Sequence, residues 1–479
     1  MKKTKKLFAM LLALIMAVAL AVPAFAAGET YTITINNDKD GHTYEAYQVF
    51  SGDLAGNVLS NITWGTGVDG DDLLAALKGD STIGSSFTDC TTAAQVAEVL
   101  ATFSNDSAQL DAFAAIVADN LDAVTGTSTE DTGPYTISGL DAGYYFVKDQ
   151  DDSLTGEDPD AYTKFMLELV QNTTVTPKSD VPSVEKKVQE DDKYNQDGGY
   201  GQGYNDVADW NIGDAVPFKL IGTIPEMDGY DTYKYIFHDT LSNGLTLNAD
   251  SVKVYVADSK NADLSSATEL TVNEDYTLNT SPAESHCSFE VSFSDLKSVE
   301  EAVSGKYIIV AYTATLNKNA EIGLDGNPNE VYLEFSNNPA QSGEGEDHPT
   351  DETPKDEVIV FTYELDTTKV DGAQTTTKLP DAQFVLLNSD GTKVAKIDES
   401  NKFDGWVNLP VGTGDEGAIT YEDWTTYNET NKVILTSGAD GLFKVIGLDD
   451  GTYKLREIKA PNGYNLLPND VEVVITATT

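Results

Sequence analysis

Three polar side chains occupy strand positions whose neighbours on the same face are apolar, and they constrain the fold more than any other feature. In "PSVEKKV", Lys186 shares a strand face with Val184 and Val188, because successive strand residues point to opposite faces. Asp239 ends a similar face in "YKYIFHD", and Asn337 ends another in "YLEFSNN". A charge on a buried face is costly unless a partner is buried beside it. The sequence therefore predicts a β-sandwich whose interior brings these residues together.

Burial would make this set reactive. A desolvated lysine shifts toward the free amine, and a desolvated carboxyl shifts toward its protonated form. The acid can then polarise the asparagine carboxamide, so that amine attack expels ammonia and leaves a Lys-Asn isopeptide bond. The ordinary alternative is that all three sit at strand ends and reach water. Lys187 and Asn338, on the opposite faces, are the alternative pair.

Four longer strings resemble a known family, the isopeptide-forming backbone pilins of Gram-positive bacteria, which are substrates of class C sortases. They occur in the family's order: "DVADWNIGDAVPFKLIGTIP", "YIFHDTLSNGLTLNADSVKVYV", "VAYTATLNKNAEIGLDGNPNEVYLEFSNNP" and "GTYKLREIKAPNGYNLLP". The resemblance implies a structural pilus subunit that needs no cofactor and has no catalytic turnover. It also implies that Asp239 is the catalytic acid for a cross-link between Lys186 and Asn337.

By the same resemblance, Lys369 is the amine and Glu457 the acid of a second site near the end of the chain. The family's acceptor asparagine lies on a final strand just ahead of a cell-wall sorting signal. We expect that strand and asparagine beyond Thr479, because no asparagine follows Asn469. A naturally tailless domain without this bond is the alternative.

Lys178 in "NTTVTPKSD" matches the family lysine that sortase joins to the next subunit. The family often has a tyrosine where this chain has Thr176, which leaves the details of recognition open. A solvated linker lysine is the alternative. The resemblance implies other pilin subunits and a class C sortase as partners.

The start of the chain and its charge indicate an exported protein. Residues 1–26 read as a signal peptide with a basic start, an apolar run and an Ala-Phe-Ala cleavage site, although an uncleaved anchor is an alternative. The formal net charge of −49 at pH 7 would repel nucleic acid and anionic membrane surfaces, so we exclude both as partners. We expect a secreted protein located in a cell-wall fimbrium.

The predicted fold is mainly β, with tandem Ig-like sandwiches of the collagen-adhesin A-type and the B-type or prealbumin-like kind, after an N-terminal α+β domain. Four segments follow the signal peptide. They are an N-terminal pilin domain over 27–179, an isopeptide-forming Ig-like domain over 180–340, an acidic linker over 341–357 and a prealbumin-like B-type domain over 358–479.

Little else in the sequence indicates a binding or catalytic site. Cys90 and Cys287 fall in different domains, and the four histidines show no metal-ligand spacing, so we expect no metal site. "NNDKDG" resembles a calcium loop but has Tyr47 at its twelfth position, so a polar turn is favoured over weak ion binding. An adhesin or ancillary pilin binding a host ligand through the tyrosine-rich segment over 191–210 stays open. A secreted carbohydrate enzyme, which needs paired carboxylates, is disfavoured.

Overall fold

The computed structural model describes residues 29–55, 58–103, 108–154, 160–177, 180–191, 203–283, 287–339 and 349–477. The predicted signal segment over 1–26 and the predicted linkage residue Lys178 lie outside these ranges. Within them, no helix is both long enough and apolar enough to cross a membrane.

The first domain is α+β, as predicted. Its strands are β1 (Tyr31–Ile35), β2 (Tyr44–Ala55), β3 (Val58–Trp64), β4 (Gly126–Thr127), β5 (Tyr135–Leu140), β6 (Gly143–Asp149), β7 (Lys164–Leu169) and β8 (Thr173–Val175). Its helices are α1 (Gly70–Gly79), α2 (Gly84–Phe87), α3 (Ala93–Leu100) and α4 (Ala108–Ala118).

The central strand β6 explains how this domain is layered. Every residue of "GYYFVKD" is buried, because the helices cover one face of the β3-β2-β6-β7 sheet and the β5-β1-β8 sheet covers the other. Tyr144 and Phe146 pack toward the helices, while Tyr145 and Val147 pack toward the second sheet. A strand buried on both faces needs a continuous apolar run, which β6 supplies.

The second domain is a sandwich of two seven-stranded sheets. Its strands are β9 (Val184–Glu190), β10 (Gly203–Asn205), β11 (Val207–Asp209), β12 (Ala215–Thr223), β13 (Tyr235–Leu241), β14 (Leu245–Leu247), β15 (Lys253–Ala257), β16 (Thr268–Glu269), β17 (Thr277–Asn279), β18 (Phe289–Phe293), β19 (Tyr307–Leu316), β20 (Asn327–Ser336), β21 (Thr350–Glu352) and β22 (Asp356–Phe361).

The two sheets meet across an aromatic core. One sheet has the order β10-β9-β12-β19-β15-β16 with β14 beside β19, and the other has the order β11-β22-β20-β13-β18-β17 with β21 beside β20. Tyr312 of the first sheet stacks on Phe218, with ring centroids 5.3 Å apart, and meets Phe289 of the second sheet edge-on at 5.0 Å. All three side chains are buried, so the interior of the sandwich excludes water.

The predicted boundary between the second and third domains is wrong. Strand β22 lies in the second domain, antiparallel to β20 and parallel to β11, and Val358 and Val360 are completely buried in its core. Strand β21, within the predicted linker over 341–357, also pairs with β20. The run "VIVFTYELDTT" contains no glycine or proline to mark the true boundary at Thr362, so nothing in the sequence separates β22 from the strand that follows it.

The third domain is a smaller β-sandwich with one helix. Its two-stranded sheet β23-β28 faces a six-stranded sheet of order β26-β25-β24-β29-β30, with β27 beside β24. Its elements are β23 (Tyr363–Thr368), β24 (Gln383–Leu387), β25 (Lys393–Ile397), β26 (Phe403–Asn408), α5 (Tyr421–Asn431), β27 (Leu435–Thr436), β28 (Leu442–Leu448), β29 (Gly451–Lys459) and β30 (Val471–Ile475).

Carboxylates crowd the junction between the second and third domains. Acceptor atoms of Asp209, Asp449 and Asp450 lie within 4.8 Å of one another. The Asp450 backbone N–H donates to Oδ2 of Asp209 at 3.1 Å, which fixes one part of the cluster. Burial and then the neighbouring carboxylates raise the pKa of Asp449 to about 10. The junction therefore holds Asp449 as a neutral acid at pH 7.

We predict that Asp449→Asn stabilises the protein at neutral pH. An unfolded aspartate has a pKa of about 3.9, so the raised pKa in the folded state lowers stability progressively as pH rises above about 4. Asparagine is neutral throughout, so the unfolding free energy at pH 7 should rise by at least about 1 kcal/mol, and it should change little at pH 3. Chemical denaturation in the presence of a metal chelator measures both values.

Asp122→Asn is the matched control, since Asp122 is exposed in the first domain. It should leave stability unchanged at both pH values. An Asp449→Asn effect of equal size at pH 3 and pH 7, or a loss of stability at pH 7, would contradict the explanation by ionisation.

Candidate cross-linking site

Lys186 is completely buried between the two sheets of the second domain. On β9 it faces the interior together with Val188, and it pairs with Leu220 of β12. Its ammonium nitrogen lies 6.0 Å from the centroid of the Phe218 ring and 5.8 Å from that of Tyr312. The alternation of β9 thus places a lysine where the neighbouring positions hold apolar side chains.

Asp239 meets this lysine from the opposite sheet. Lys186 Nζ donates to Oδ2 of Asp239, and both side chains have no exposed surface. The Tyr312 hydroxyl donates to the same carboxylate oxygen at 2.8 Å. Burial lowers the pKa of Lys186 and raises that of Asp239, although the attraction between the two groups opposes both shifts. The dry site thus favours the free amine and the protonated acid.

Asn329 is the carboxamide that the structure brings to this pair. On β20 it is completely buried, and its Nδ2 donates to the Tyr312 hydroxyl at 2.8 Å. Lys186 Nζ also reaches the carbonyl oxygen of the next residue, Glu330, at 3.3 Å. Tyr312 therefore connects Asn329 to Asp239 through two hydrogen bonds.

Two oxygens at this site lack a donor. Within the described residues, neither Oδ1 of Asp239 nor Oδ1 of Asn329 has a hydrogen-bond partner, and both are buried. An unpaired buried acceptor is costly, and a neutral carboxyl carries a proton that could be donated to a carboxamide oxygen. A protonated Asp239 would thus suit this site better than a carboxylate.

The prediction of Asn337 as the acceptor is wrong. Strand register pairs Asp239 with Val331, and Asn337 lies six residues further along, about 20 Å away at roughly 3.3 Å per residue. Its backbone carbonyl instead accepts the Tyr162 N–H of the first domain at 2.7 Å. Asn337 therefore belongs to the junction between the first and second domains.

The alternative pair is not brought together either. Lys187 makes an ion pair with Asp206 near the surface, and Asn338 lies beside Asn337 at the domain junction. The sequence did contain a signal for Asn329, because it shares strand parity with Val331 and Leu333. That signal alone cannot choose between Asn329 and Asn337, since both occupy the same face.

In the third domain the predicted amine and acid do meet. Lys369 Nζ lies 2.9 Å from Oε1 of Glu457, whose side chain is fully buried. The Leu467 N–H donates to the other carboxylate oxygen at 2.9 Å and fixes the acid. Asn465 and Asn469 are both exposed, and within the described part of this domain neither is hydrogen-bonded to Lys369. Among the described contacts, therefore, no carboxamide lies beside Lys369 and Glu457.

A cleft lies between the first and second domains. Pro177 and Asp180, the described residues nearest in sequence to Lys178, line this cavity of about 550 Å³, whereas Lys178 itself lies outside the described residues. Lys164 also lines the cavity and donates to the Pro339 carbonyl at 2.5 Å. Residues of both domains thus contribute to the cleft.

Two family models match this chain. The model described as "Gram-positive pilin backbone subunit 2, Cna-B-like domain" matches residues 212–339, and the model described as "SpaA: Prealbumin-like fold domain" matches residues 364–479. The first segment includes Asp239, Tyr312 and Asn329, and the second includes Lys369 and Glu457.

One curated relative and one solved structure extend these matches. The trypsin-resistant surface T6 protein of Streptococcus pyogenes serotype M6 is 25% identical over 283 residues, which is 56% of this chain and 43% of that protein. The chain thus spans less than half the length of this curated relative.

The solved structure of the T6 backbone pilin of serotype M6 Streptococcus pyogenes is described as a modular three-domain structure decorated with variable loops and extensions. It aligns with a TM-score of 0.57 at 19% identity, covering 95% of this chain and 81% of that one, so the fold is shared. This chain therefore contains a Gram-positive pilin backbone domain and a SpaA-type prealbumin-like domain, and it shares its fold with a solved backbone pilin.

Proposed function

We propose that this protein is the repeating shaft subunit of a sortase-assembled pilus, and that it ties its second domain together by a bond between Lys186 and Asn329. The observation that carries this proposal is the dry contact of Lys186 with Asp239, joined through Tyr312 to a buried carboxamide. A structural ion pair would not need that carboxamide. The reaction happens once in each molecule, so the protein is not a turnover enzyme.

The proposed reaction is amine attack on a polarised carboxamide. Asp239, as a neutral acid, donates its proton to the carboxamide oxygen of Asn329 and so makes its Cγ more electrophilic. The free Lys186 Nζ attacks that carbon and forms a tetrahedral intermediate. One proton from the attacking nitrogen passes through Asp239 to the leaving nitrogen. The Cγ–Nδ2 bond then breaks and ammonia departs, and the proton on the former carboxamide oxygen returns to Asp239 as the carbonyl re-forms.

Tyr312 orients the reacting groups. Its hydroxyl accepts from Nδ2 of Asn329 and donates to Oδ2 of Asp239, both at 2.8 Å. Such a two-sided contact fixes which nitrogen and which oxygen face the lysine. Burial raises the pKa of this phenol well above its ordinary value, so the hydroxyl keeps its proton and can continue to donate.

The bond would join the two sheets of the sandwich. Lys186 lies on β9 in one sheet, and Asn329 lies on β20 in the other. By analogy with disulfides, closing a loop from residue 186 to residue 329 contributes on the order of 5 kcal/mol through the unfolded state. Unlike a disulfide, the link cannot be reduced, which suits a protein exposed outside the cell.

Assembly is proposed to use Lys178 as the amine that accepts the previous subunit. The support is the "VTPK" string together with the cleft lined by Pro177 and Asp180, whose size and mixed apolar and polar lining suit an extended peptide. The partners would then be further copies of this chain and a class C sortase at the cell wall. Lys369 and Glu457 are proposed as the amine and acid of a second cross-link in the third domain, which would need a carboxamide that the described residues do not place beside them.

We predict that the full chain, expressed without sortase, is lighter than its encoded mass by one ammonia. Lys186→Ala, Asp239→Ala and Asn329→Ala should each restore the encoded mass of the variant, because each removes one reacting group. Intact-mass spectrometry measures the loss, and proteolytic mapping should recover a branched peptide containing residues 186 and 329.

Two variants serve as matched controls for this mass measurement. Asn337→Ala and Lys369→Ala should retain the loss of one ammonia, because one residue lies at a domain junction and the other in the third domain. A wild-type chain with its full encoded mass would refute the cross-link. A loss that disappears in Asn337→Ala but persists in Asn329→Ala would refute our choice of acceptor.

We predict that Lys178 links one subunit to the next. Co-expression of the protein carrying a sorting signal with its class C sortase should give a ladder of covalent polymers on a denaturing gel. Lys178→Ala should abolish the ladder but keep the loss of ammonia in the second domain. Lys187→Ala, which removes a nearby lysine already ion-paired with Asp206, should leave the ladder intact. A ladder that survives Lys178→Ala would indicate another linking lysine or an ancillary subunit.

A further inference from the structure

The outer face of the second domain gathers a histidine, a cysteine and a glutamate. His238 precedes Asp239 on β13, so its side chain points away from the cross-linking site, and register pairs it with Glu290 of β18. Cys287 lies just before β18 and approaches the same imidazole. These residues are far apart in sequence, and sheet pairing brings them together.

The three ligand atoms form a compact triangle. His238 Nδ1 lies 3.2 Å from Glu290 Oε1 and 3.9 Å from Cys287 Sγ, and Sγ lies 3.8 Å from the same glutamate oxygen. In a tetrahedral zinc site the usual bond lengths place such atoms about 3.3–3.6 Å apart. The triangle is therefore within about 0.3 Å of three corners of a zinc tetrahedron.

The groups around the histidine also match a metal site. Its other ring nitrogen, Nε2, lies 3.1 Å from Glu334 Oε2, and Lys234 holds that glutamate at 2.6 Å. Tyr332 stacks on the imidazole with ring centroids 4.5 Å apart. A carboxylate on the distal nitrogen of a ligating histidine orients the ring and raises its basicity toward a metal.

A simple ion pair accounts for only part of this cluster. The imidazole of His238 lies 3.2 Å from Glu290 and 3.1 Å from Glu334, so two carboxylates could hold it without a third group. Such an ion pair does not require a thiol, yet Cys287 Sγ lies 3.9 Å from the same imidazole.

We propose that His238, Cys287 and Glu290 bind one zinc ion, with a fourth position open to water or to an external ligand. Asn279 donates to the second oxygen of Glu290 at 3.2 Å, which leaves Oε1 to face the metal. The carboxylates of Glu290 and Glu334, on either side of the imidazole, would offset the charge of the divalent ion.

The thiolate favours zinc over calcium or magnesium, which prefer oxygen ligands. A bound ion would connect β13 to the segment before β18 and would stabilise the folded state in proportion to its occupancy. The site lies on the opposite side of β13 from the cross-link, so metal binding and loss of ammonia are independent measurements.

The test uses the purified full chain, freed of metal by a chelator and then dialysed. Titration with zinc alone should show one equivalent bound, and cobalt should give the thiolate-to-metal charge-transfer absorption of a cysteine-ligated ion. Cys287→Ala should abolish that absorption and the stoichiometric zinc binding. Cys90→Ala removes the chain's other cysteine, which is buried in the first domain, and should change neither.

A second variant tests the carboxylate of Glu334, which contacts the other ring nitrogen of His238. Glu334→Gln leaves all three ligands in place and should weaken zinc affinity about 10-fold to 100-fold. Far-UV circular dichroism establishes that each variant is folded. Failure of the wild type to bind zinc would overturn the proposal. Zinc binding that is unchanged in the Cys287→Ala variant would also overturn the proposal.

Discussion

The structure of the second domain depends on a lysine and an aspartate that meet where water is excluded. Separately, each would be among the most unfavourable groups to bury in an aromatic core. Together, Lys186 and Asp239 can exchange a proton and become two neutral groups, so the sandwich closes around them without a buried net charge. The same neutrality gives the amine its nucleophilicity. The arrangement that makes burial of these two groups tolerable is thus the one on which the proposed reaction depends.

Much of this could be predicted from the sequence, because burial along a strand has a period of two residues. That period was sufficient to place Lys186 and Asp239 on interior faces. It was insufficient for the acceptor, since Asn329 and Asn337 share a face and only the register between β13 and β20 separates them. Register depends on pairing between segments nearly a hundred residues apart, which local pattern does not encode.

Three other features of the structure were not predicted from the sequence, each for a reason that lies in the residues concerned. The run from Asp356 to Thr368 contains no glycine, proline or asparagine, so its division between two domains at Thr362 leaves no turn signal in the sequence. Helix α5 is mostly polar and was missed, although Thr420 and Asp423 form a capping box that marks its start. The cluster around His238 has no spacing motif, because neighbouring strands rather than neighbouring residues supply its members.

The second domain continues through β22 to Phe361, past its predicted end at residue 340, and this matters for a fibre under tension. Pulling force would enter near Lys178 and leave at Phe361, yet the proposed bond spans only residues 186 to 329. Beyond that bond, β21 and β22 are held only by non-covalent interactions, which are their hydrogen bonds to β20 and the burial of Val358 and Val360. These strands could peel away and re-pair while the cross-linked body stays folded. The roughly 30 residues between residue 329 and Phe361 have a fully extended length of about 100 Å, and each subunit would lengthen reversibly by that amount less the distance that these residues already span when folded.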